Sequence, residues 1–276
     1  MALDTRSNHL FVAELGNGSV DEVDLSSGTV AGRIVKLNEP QGVAWLAAQA
    51  EVAVACGDGT VHFYRDVDRQ EVAQISLGDD ADNVRIDRRN GNLVVGYGSG
   101  GLAIVSPSAH RVIREIKLPA HPEAFEIVGS RVFVNVPDAH EIVVADLDKG
   151  SIASTISTGF AFGNFPMASD ETASRIGVAY RMPPALSVID TRSGATVSSN
   201  RICGDADDLY FRSAQLVVVC GSGEVELIKQ GPPQAEIRVA TQQGARTGLL
   251  DAAGDHLFVA VPARQTRAAI WDLSFR

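Results

Sequence analysis

Cysteine is scarce in this chain: Cys56, Cys203 and Cys220 are the only three among 276 residues. That excludes a disulfide-scaffolded mini-protein. No pair has zinc-knuckle or Cys-x-x-Cys spacing, and no Cys-x-x-Cys-His is present for covalent haem attachment. Basic residues are outnumbered, 24 Lys and Arg against 34 Asp and Glu, giving a formal charge of −10 and a pI near 5.0. This balance argues against a broad nucleic-acid surface, which needs a basic stripe, and against an anionic membrane. No apolar run approaches the roughly 18 residues of a bilayer span. The chain opens Met1-Ala-Leu-Asp-Thr-Arg6, without a basic n-region or apolar h-region, so no secretion signal is expected in it. There is no P-loop and no Gly-x-Ser-x-Gly nucleophile elbow. Long charge runs are absent and 45% of residues are hydrophobic, which excludes a disordered chain.

What is present is a repeat. Apolar, largely β-branched runs recur as Phe11–Gly16, Val52–Gly57, Leu93–Gly98, Val132–Pro137, Ile176–Arg181, Leu216–Gly221 and Leu257–Pro262. Their last residues are separated by 41, 41, 39, 44, 40 and 41 positions. The fifth run ends at Arg181, where most of the others end at Gly. A Gly-rich turn follows most copies, then an alternating strand such as Glu141–Asp146, a turn carrying Ser-Gly or Lys-Gly, and a closing strand such as Arg111–Lys117. Gly-x-Gly pairs that recur at this period are hairpin turns rather than dinucleotide fingerprints. The segment 42–51 has a helix-like stretch, but it stands in register with six strand copies and is read as strand.

Period-2 alternation, short turns and about four strands per repeat predict an all-β fold, a seven-bladed β-propeller with four-stranded antiparallel blades of about 41 residues. Length alone is a soft prior for one or two domains. The repeat predicts a single domain over 1–276, with blades near 1–37, 38–78, 79–120, 121–160, 161–204, 205–242 and 243–276. Ala2–Arg6 already falls in the first inner strand, and the last copy has three recognisable strands. Either the final blade is three-stranded, or a segment of a longer ancestor that completed it has been lost. WD40 and kelch signatures do not recur, since Trp271-Asp272 is a single instance.

The stretches Phe11-Val-Ala…Gly18-Ser-Val-Asp-Glu-Val-Asp-Leu-Ser-Ser-Gly-Thr-Val30 and Val132-Phe-Val-Asn-Val-Pro…Ile-Val-Val-Ala-Asp146 resemble the YVTN (YncE-like) family of bacterial seven-bladed propellers. The resemblance covers nearly the whole chain. It implies the fold, and for many members a periplasmic or extracytoplasmic location; without export the chain is cytoplasmic. It implies little about activity, because propellers host many functions.

In a propeller, the segments leading into the inner strands gather at one mouth of the central channel, a natural binding place. Six such segments are Glu39–Gly42, Asp80–Asn83, His121–Ala124, Asn164–Met167, Asp205–Asp208 and Gly244–Thr247. Stacked together, their second column is mostly apolar and their first and third are rich in Asp, Glu, Asn and His. Converging carboxylates repel and need compensation. A divalent cation is one neutraliser, Ca²⁺ by oxygen donors or Zn²⁺ if a histidine joins. The expected metal ligands are Glu39, Asp80, Asn83, Glu123, Asn164, Asp205 and Asp208. His121, Asp82 and Asp207 are the expected general base or nucleophile. The ligand types are similar to those of calcium-dependent lactonase and phosphotriesterase propellers. That likeness implies a metal-dependent hydrolase of small esters, lactones or phosphotriesters. The alternative is a non-catalytic propeller binding a small molecule or a protein, its Asp and Asn merely bonding nearby backbone.

Cys203 and Cys220 flank one hairpin and are able to approach, so they form either a disulfide or a thiol pair according to compartment. Cys56 reads as a small buried residue. His9, His62, His110, His140 and His256 read as surface residues. Phe160, Phe162 and Phe165 cluster near Met182 and Pro183, as loop core or as an apolar wall beside a ligand.

Overall fold

The computed structural model describes residues 1–229, 236–264 and 267–275. Its regular structure is strand, apart from single 3-10 turns at Leu15–Asn17 and Pro137–Ala139. Blade one is β1 (Ala2–Asp4), β2 (His9–Glu14), β3 (Ser19–Asp24) and β4 (Thr29–Val35). Blade two is β5 (Pro40–Leu46), β6 (Glu51–Cys56), β7 (Thr60–Arg65) and β8 (Glu71–Ser76). Blade three is β9 (Ala81–Ile86), β10 (Leu93–Tyr97), β11 (Gly101–Ser106) and β12 (Arg111–Lys117). Blade four is β13 (Phe125–Val128), β14 (Arg131–Val136), β15 (Glu141–Asp146) and β16 (Ser151–Ser157). Blade five is β17 (Phe162–Asp170), β18 (Arg175–Met182), β19 (Pro184–Asp190) and β20 (Thr196–Arg201). Blade six is β21 (Ala206–Arg212), β22 (Gln215–Cys220), β23 (Glu224–Lys229) and β24 (Glu236–Ala240). Blade seven is β25 (Thr247–Leu250), β26 (His256–Val261) and β27 (Ala269–Ser274). Every sheet is ordered along the chain, six with four strands and the last with three. This is the seven-bladed β-propeller that the repeat implied, and 42–51 is strand and turn rather than helix.

The chain packs as two compact units. Unit 1 comprises Met1–Glu123, Gly129–Val132 and Val144–Ser154; unit 2 comprises Ala124–Val128, Phe133–Val143 and Thr155–Arg276.

The second strands read as continuous apolar runs because both of their faces are covered. In unit 1, Val54 and Cys56 of β6 pack with Phe11 and Val20 of blade one, while Ala53, Ala55 and Phe63 pack against Leu93, Val95 and Ala103 of blade three. Phe11 stacks on Trp45 with ring centroids 5.9 Å apart. In unit 2, Leu186 and Val188 meet Leu209, Leu216 and Val218, and Val217 and Val219 meet Leu257 and Val259. Each fully buried Val, Leu or Phe among these contributes about 1.5–3 kcal/mol. The blades approach closely at Gly42, where a Cβ would lie 2.0 Å from the Asp82 carbonyl oxygen and 2.8 Å from a Val84 methyl.

The Ser-Gly and Lys-Gly turns close the third hairpin of their blades. Asp190 accepts from the backbone N–H of Ser193 at 2.9 Å and of Arg192 at 3.0 Å. Gly194 then takes φ +72°, a left-handed conformation that costs glycine little. Those bonds, led by the Ser193 N–H, hold the Asp190 carboxyl down at about 2. Asp24 and Asp146 repeat the arrangement, so these recurring aspartates are turn caps.

Cys203 and Cys220 are joined by a disulfide, and Cys56 is a free buried thiol pushed up to about 11 by burial. Of the five histidines read as surface residues, His140 and His256 are exposed as expected and the other three are not. His9, His62 and His110 are half-buried, and each faces a carboxylate: Glu22, Glu71 and Glu51. His256 faces Asp272, and the His140 ring meets Phe162 edge to face. Strand pairing within a blade brought Glu22, Glu71 and Asp272 alongside their imidazoles across 9 to 16 residues, and packing of blade three on blade two brought Glu51 to His110 across 59.

Candidate functional site

The segments leading into the inner strands share a backbone device. Glu39, Asp80 and Asp205 adopt positive φ, at +51°, +35° and +57°. Their carbonyls accept from the N–H of Gly57, Gly98 and Gly221, the glycines that end β6, β10 and β22, at 3.0, 3.0 and 2.8 Å. At Gly57 and Gly221 the acid packs on the glycine: a Cβ there would meet Glu39 Oε2 at 2.8 Å and Asp205 Oδ2 at 2.0 Å. The next residue, Pro40, Ala81 or Ala206, is buried as the apolar column requires. A β-bulge follows in each case, between Pro40 and Gly42, among Ala81–Val84 opposite Tyr97–Val95, and between Ala206 and Asp208. The bulge ends strict alternation and sets Gln41, Asp82 and Asp207 out of the ladder.

In unit 1 the polar groups form a short chain. Gln41 donates Nε2–H to Asp80 Oδ1 at 2.8 Å, and Asp80 Oδ2 lies 3.8 Å from His121 Nδ1. His121 Nδ1 is 2.7 Å from the Gly98 carbonyl oxygen. A carbonyl only accepts, so Nδ1 carries a proton. Asp82 accepts from Asn83 Nδ2 at 2.9 Å. Burial pushes the Asp82 carboxyl up to about 6; His121 opposes the rise and Asp80 adds to it. Glu39 is exposed and Glu123 half-buried.

In unit 2 the charges are differently arranged. Arg181 donates Nη2–H to Asp207 Oδ1 at 2.6 Å and lies 3.3 Å from Asp205 Oδ1. Its guanidinium sits 4.1 Å above the Phe165 ring centroid, a cation–π geometry. Arg246 lies 3.8 Å from Asp205 and 3.8 Å from Asp207, beyond hydrogen-bond range, and is 51% exposed. Burial raises the Asp207 carboxyl, with Arg246 and Arg181 opposing. Asp208 turns away to accept the Gly248 N–H at 2.7 Å, tying blade six to blade seven.

Asn164 stands apart from the acidic side. It pairs with Tyr180 as Pro40, Ala81 and Ala206 pair with Cys56, Tyr97 and Cys220, so it occupies the buried column. The positive-φ position in blade five is Gly163, at +65°. The correct stacking is therefore one residue earlier than the sequence alignment placed it. Asn164 is 1% exposed and donates to Asn135 Oδ1 at 3.0 Å and the Glu141 carbonyl at 3.3 Å. The same register explains Arg181. Where blades two and six put an acid over a glycine, blade five puts Gly163 beside the Cβ of Arg181. Sequence reasoning missed Arg181 as a site residue, although its replacement of glycine at the strand end was the visible signal.

Among the described residues, three His, Cys, Asp or Glu ligand atoms come within 4.8 Å of one another at Cys203, Glu224 and Glu226, not at the expected set. Cys203 Sγ is held in the disulfide, and its N–H donates to Glu226 at 2.9 Å. Of the apolar cluster, Phe165 supports Arg181, while Phe160 is 95% exposed at the rim of a cavity of about 330 Å³. That cavity is lined by Thr158, Tyr180, Pro183, Ser187 and Ser199, away from the acidic segments.

Fold and site together define a β-propeller whose strand lead-ins carry charged side chains. Two solved structures share its architecture. A chain from the crystal structure of a mitotic checkpoint complex superposes with a TM-score of 0.85 at 14% identity, over 99% of this chain and 86% of that one. A chain of Kuenenia stuttgartiensis hydrazine synthase gives 0.86 at 14% identity, over 99% and 94%. At such identity the likeness establishes the fold alone. No protein-family model and no curated protein sequence matches the chain. Among the described residues no helix is long and apolar enough to cross a membrane.

Proposed function

We propose that this protein is a non-catalytic binding propeller of the YVTN kind, holding a small molecule that carries a carboxylate or phosphate against Arg246. The observation that carries this reading is the group Arg181, Arg246, Asp205 and Asp207. Arg181 already supplies compensating charge to both aspartates, so a cation is not required there. Arg246 stands beyond hydrogen-bond range of both aspartates, and its planar donor fork suits a bidentate anion. Asp205, itself partly exposed, offers an acceptor to a donor group on the same ligand. A thermal-shift and calorimetric screen of small carboxylates and phosphates tests this. Binding should vanish in Arg246→Gln and persist in Glu39→Gln; equal affinity in Arg246→Gln overturns the reading.

A metal-dependent hydrolase is the second reading, favoured by unit 1. Burial lifts the Asp82 carboxyl to about 6 next to His121, a pairing suited to a general base. In this reading Asp80, Asn83 and Glu123 would hold Ca²⁺ or Zn²⁺, which would polarise an ester or phosphotriester oxygen, with His121 or Asp82 as the base. Elemental analysis of the desalted protein decides: about one equivalent of metal per chain, lost in Asp80→Ala, supports it. Metal-free protein with no esterase activity after Ca²⁺ or Zn²⁺ is added sinks it.

A further inference from the structure

One face of blade five lacks what the equivalent faces of other blades carry. In the middle of that face Ser187 of β19 pairs with Ser199 of β20. The equivalent pairs are Asp21 with Arg33 in blade one, His62 with Gln74 in blade two, Ala103 with Glu115 in blade three and Glu226 with Arg238 in blade six. Each of those pairs has a long polar side chain held by a partner. Asp21 accepts from Arg33 Nη2 at 2.6 Å, His62 lies 2.8 Å from Glu71, Glu115 accepts from the Tyr97 hydroxyl at 2.9 Å, and Arg238 lies 2.9 Å from Glu226. Blade five keeps a tyrosine, Tyr180, at the place of Tyr97, but a serine stands where Glu115 would meet it. The space left is the cavity of about 330 Å³. Tyr180, Ser187, Ile189, Thr196 and Ser199 share one face of the sheet and form its floor. Ser157, Thr158 and Phe160, at and after the end of β16, form its wall. None of its described lining residues is charged, and more than half carry a hydroxyl.

We propose that this cavity binds a neutral hexopyranose unit, its hydroxyls bonded by Thr158, Thr196 and Ser199 and one C–H face of its ring stacked on Phe160. The lining has capacity for such bonds. Thr158 Oγ1 donates to the His140 carbonyl at 3.0 Å and still accepts, and Ser157 Oγ accepts the Gly159 N–H at 3.1 Å and still donates. Thr196 and Ser199 are exposed, and Tyr180 and Ser187 stand together on the floor. At the rim Phe160 is 95% exposed, and Phe162 and Met182, paired across β17 and β18, are exposed too. A ligand covering the Phe160 ring removes that apolar area from water. A charged ligand would lose hydration in this lining with no opposite charge to replace it. A wholly apolar ligand would leave the lining hydroxyls unpaired. A sugar ring has C–H faces and a rim of hydroxyls that both donate and accept, so it matches both halves of the lining. The volume is at the low end of the roughly 300–1,000 Å³ of ligand pockets, which suits a small saccharide. The proposal is independent of the ligand reading above.

The test is saturation-transfer NMR on the full chain with methyl glycosides of glucose, galactose and mannose, each beside its uronic acid. At least one neutral glycoside should bind saturably, and its uronic acid should bind about tenfold more weakly or worse. Phe160→Ala changes an exposed side chain and so spares the fold; it should weaken the bound glycoside about tenfold, as expected for losing an aromatic platform. Ser187→Asp with Ser199→Arg rebuilds the pair of blade one inside the cavity, and should abolish binding with far-ultraviolet circular dichroism unchanged. The same sugar carried on a glycopeptide separates two sources of the ring. Equal affinity makes a free saccharide sufficient, and tighter binding makes the ligand a protein-borne glycan. Absence of saturable binding by every neutral glycoside, preference for a uronic acid, or full affinity in either variant would each overturn the proposal.

Discussion

Replacing Asp82 by asparagine should reverse a pH-dependent weakness built into the third blade. The Asp82 carboxyl titrates at about 6 in the folded protein against an ordinary 3.8, chiefly because burial disfavours its charge. A group whose folded value is raised stabilises the fold most below its unfolded value, and that contribution is lost as pH rises through the folded value. Between about pH 4 and pH 7 the wild-type protein should therefore lose about 2 kcal/mol at this site, most of the roughly 3 kcal/mol of moving a carboxyl from 3.8 to about 6. Asp82→Asn keeps the shape and removes the charge, so its stability relative to wild type should climb by that amount over the same window. Urea unfolding at pH 4, 5, 6, 7 and 8 measures both proteins. Parallel curves across the window would refute the burial argument. Saturating Ca²⁺ or Zn²⁺ adds a second reading: a cation held by Asp82 would flatten the wild-type curve.

Arg181→Ala should leave Asp205 and Asp207 repelling each other, cost about 1–2 kcal/mol, and raise the Asp207 carboxyl further, visible by carbon-detected NMR titration. An Asp207 titration unchanged in that variant would contradict the pairing. Gly42→Ala drives a methyl into the Asp82 carbonyl and should cost about 1–3 kcal/mol, with chemical-shift changes centred on Asp82 and Val84. A silent substitution there would mean the two blades are further apart than described. Reducing the Cys203–Cys220 disulfide, across a separation of 17 residues, should lower stability by about 3 kcal/mol on loop entropy. Equal urea midpoints with and without reductant would count against it.

The blades were readable because a propeller is built from local hairpins. Each strand pairs with its sequence neighbour, so alternation, turn glycines and a constant period carry nearly all of the topology. The site was readable only in part. Glu39, Asp80 and Asp205 were found in one column because they share a backbone conformation that repeats with the blade. Asn164 was placed in that column wrongly, because blade five keeps its positive φ on Gly163 and carries no acid to mark it. Asp208 was read from the fourth position of its segment, and its bond to the Gly248 N–H, made across to the next blade, has no signature in the repeat.

Sequence by itself determined the all-β class, the seven repeats and the strand order, all consequences of short-range pairing. The tertiary structure decided which charges meet. Arg181 reaches Asp207 across 26 residues of sequence, Gln41 reaches Asp80 across 39, and Cys203 joins Cys220. Those meetings depend on side-chain reach and bulge geometry between neighbouring strands and blades, which a one-dimensional pattern does not carry.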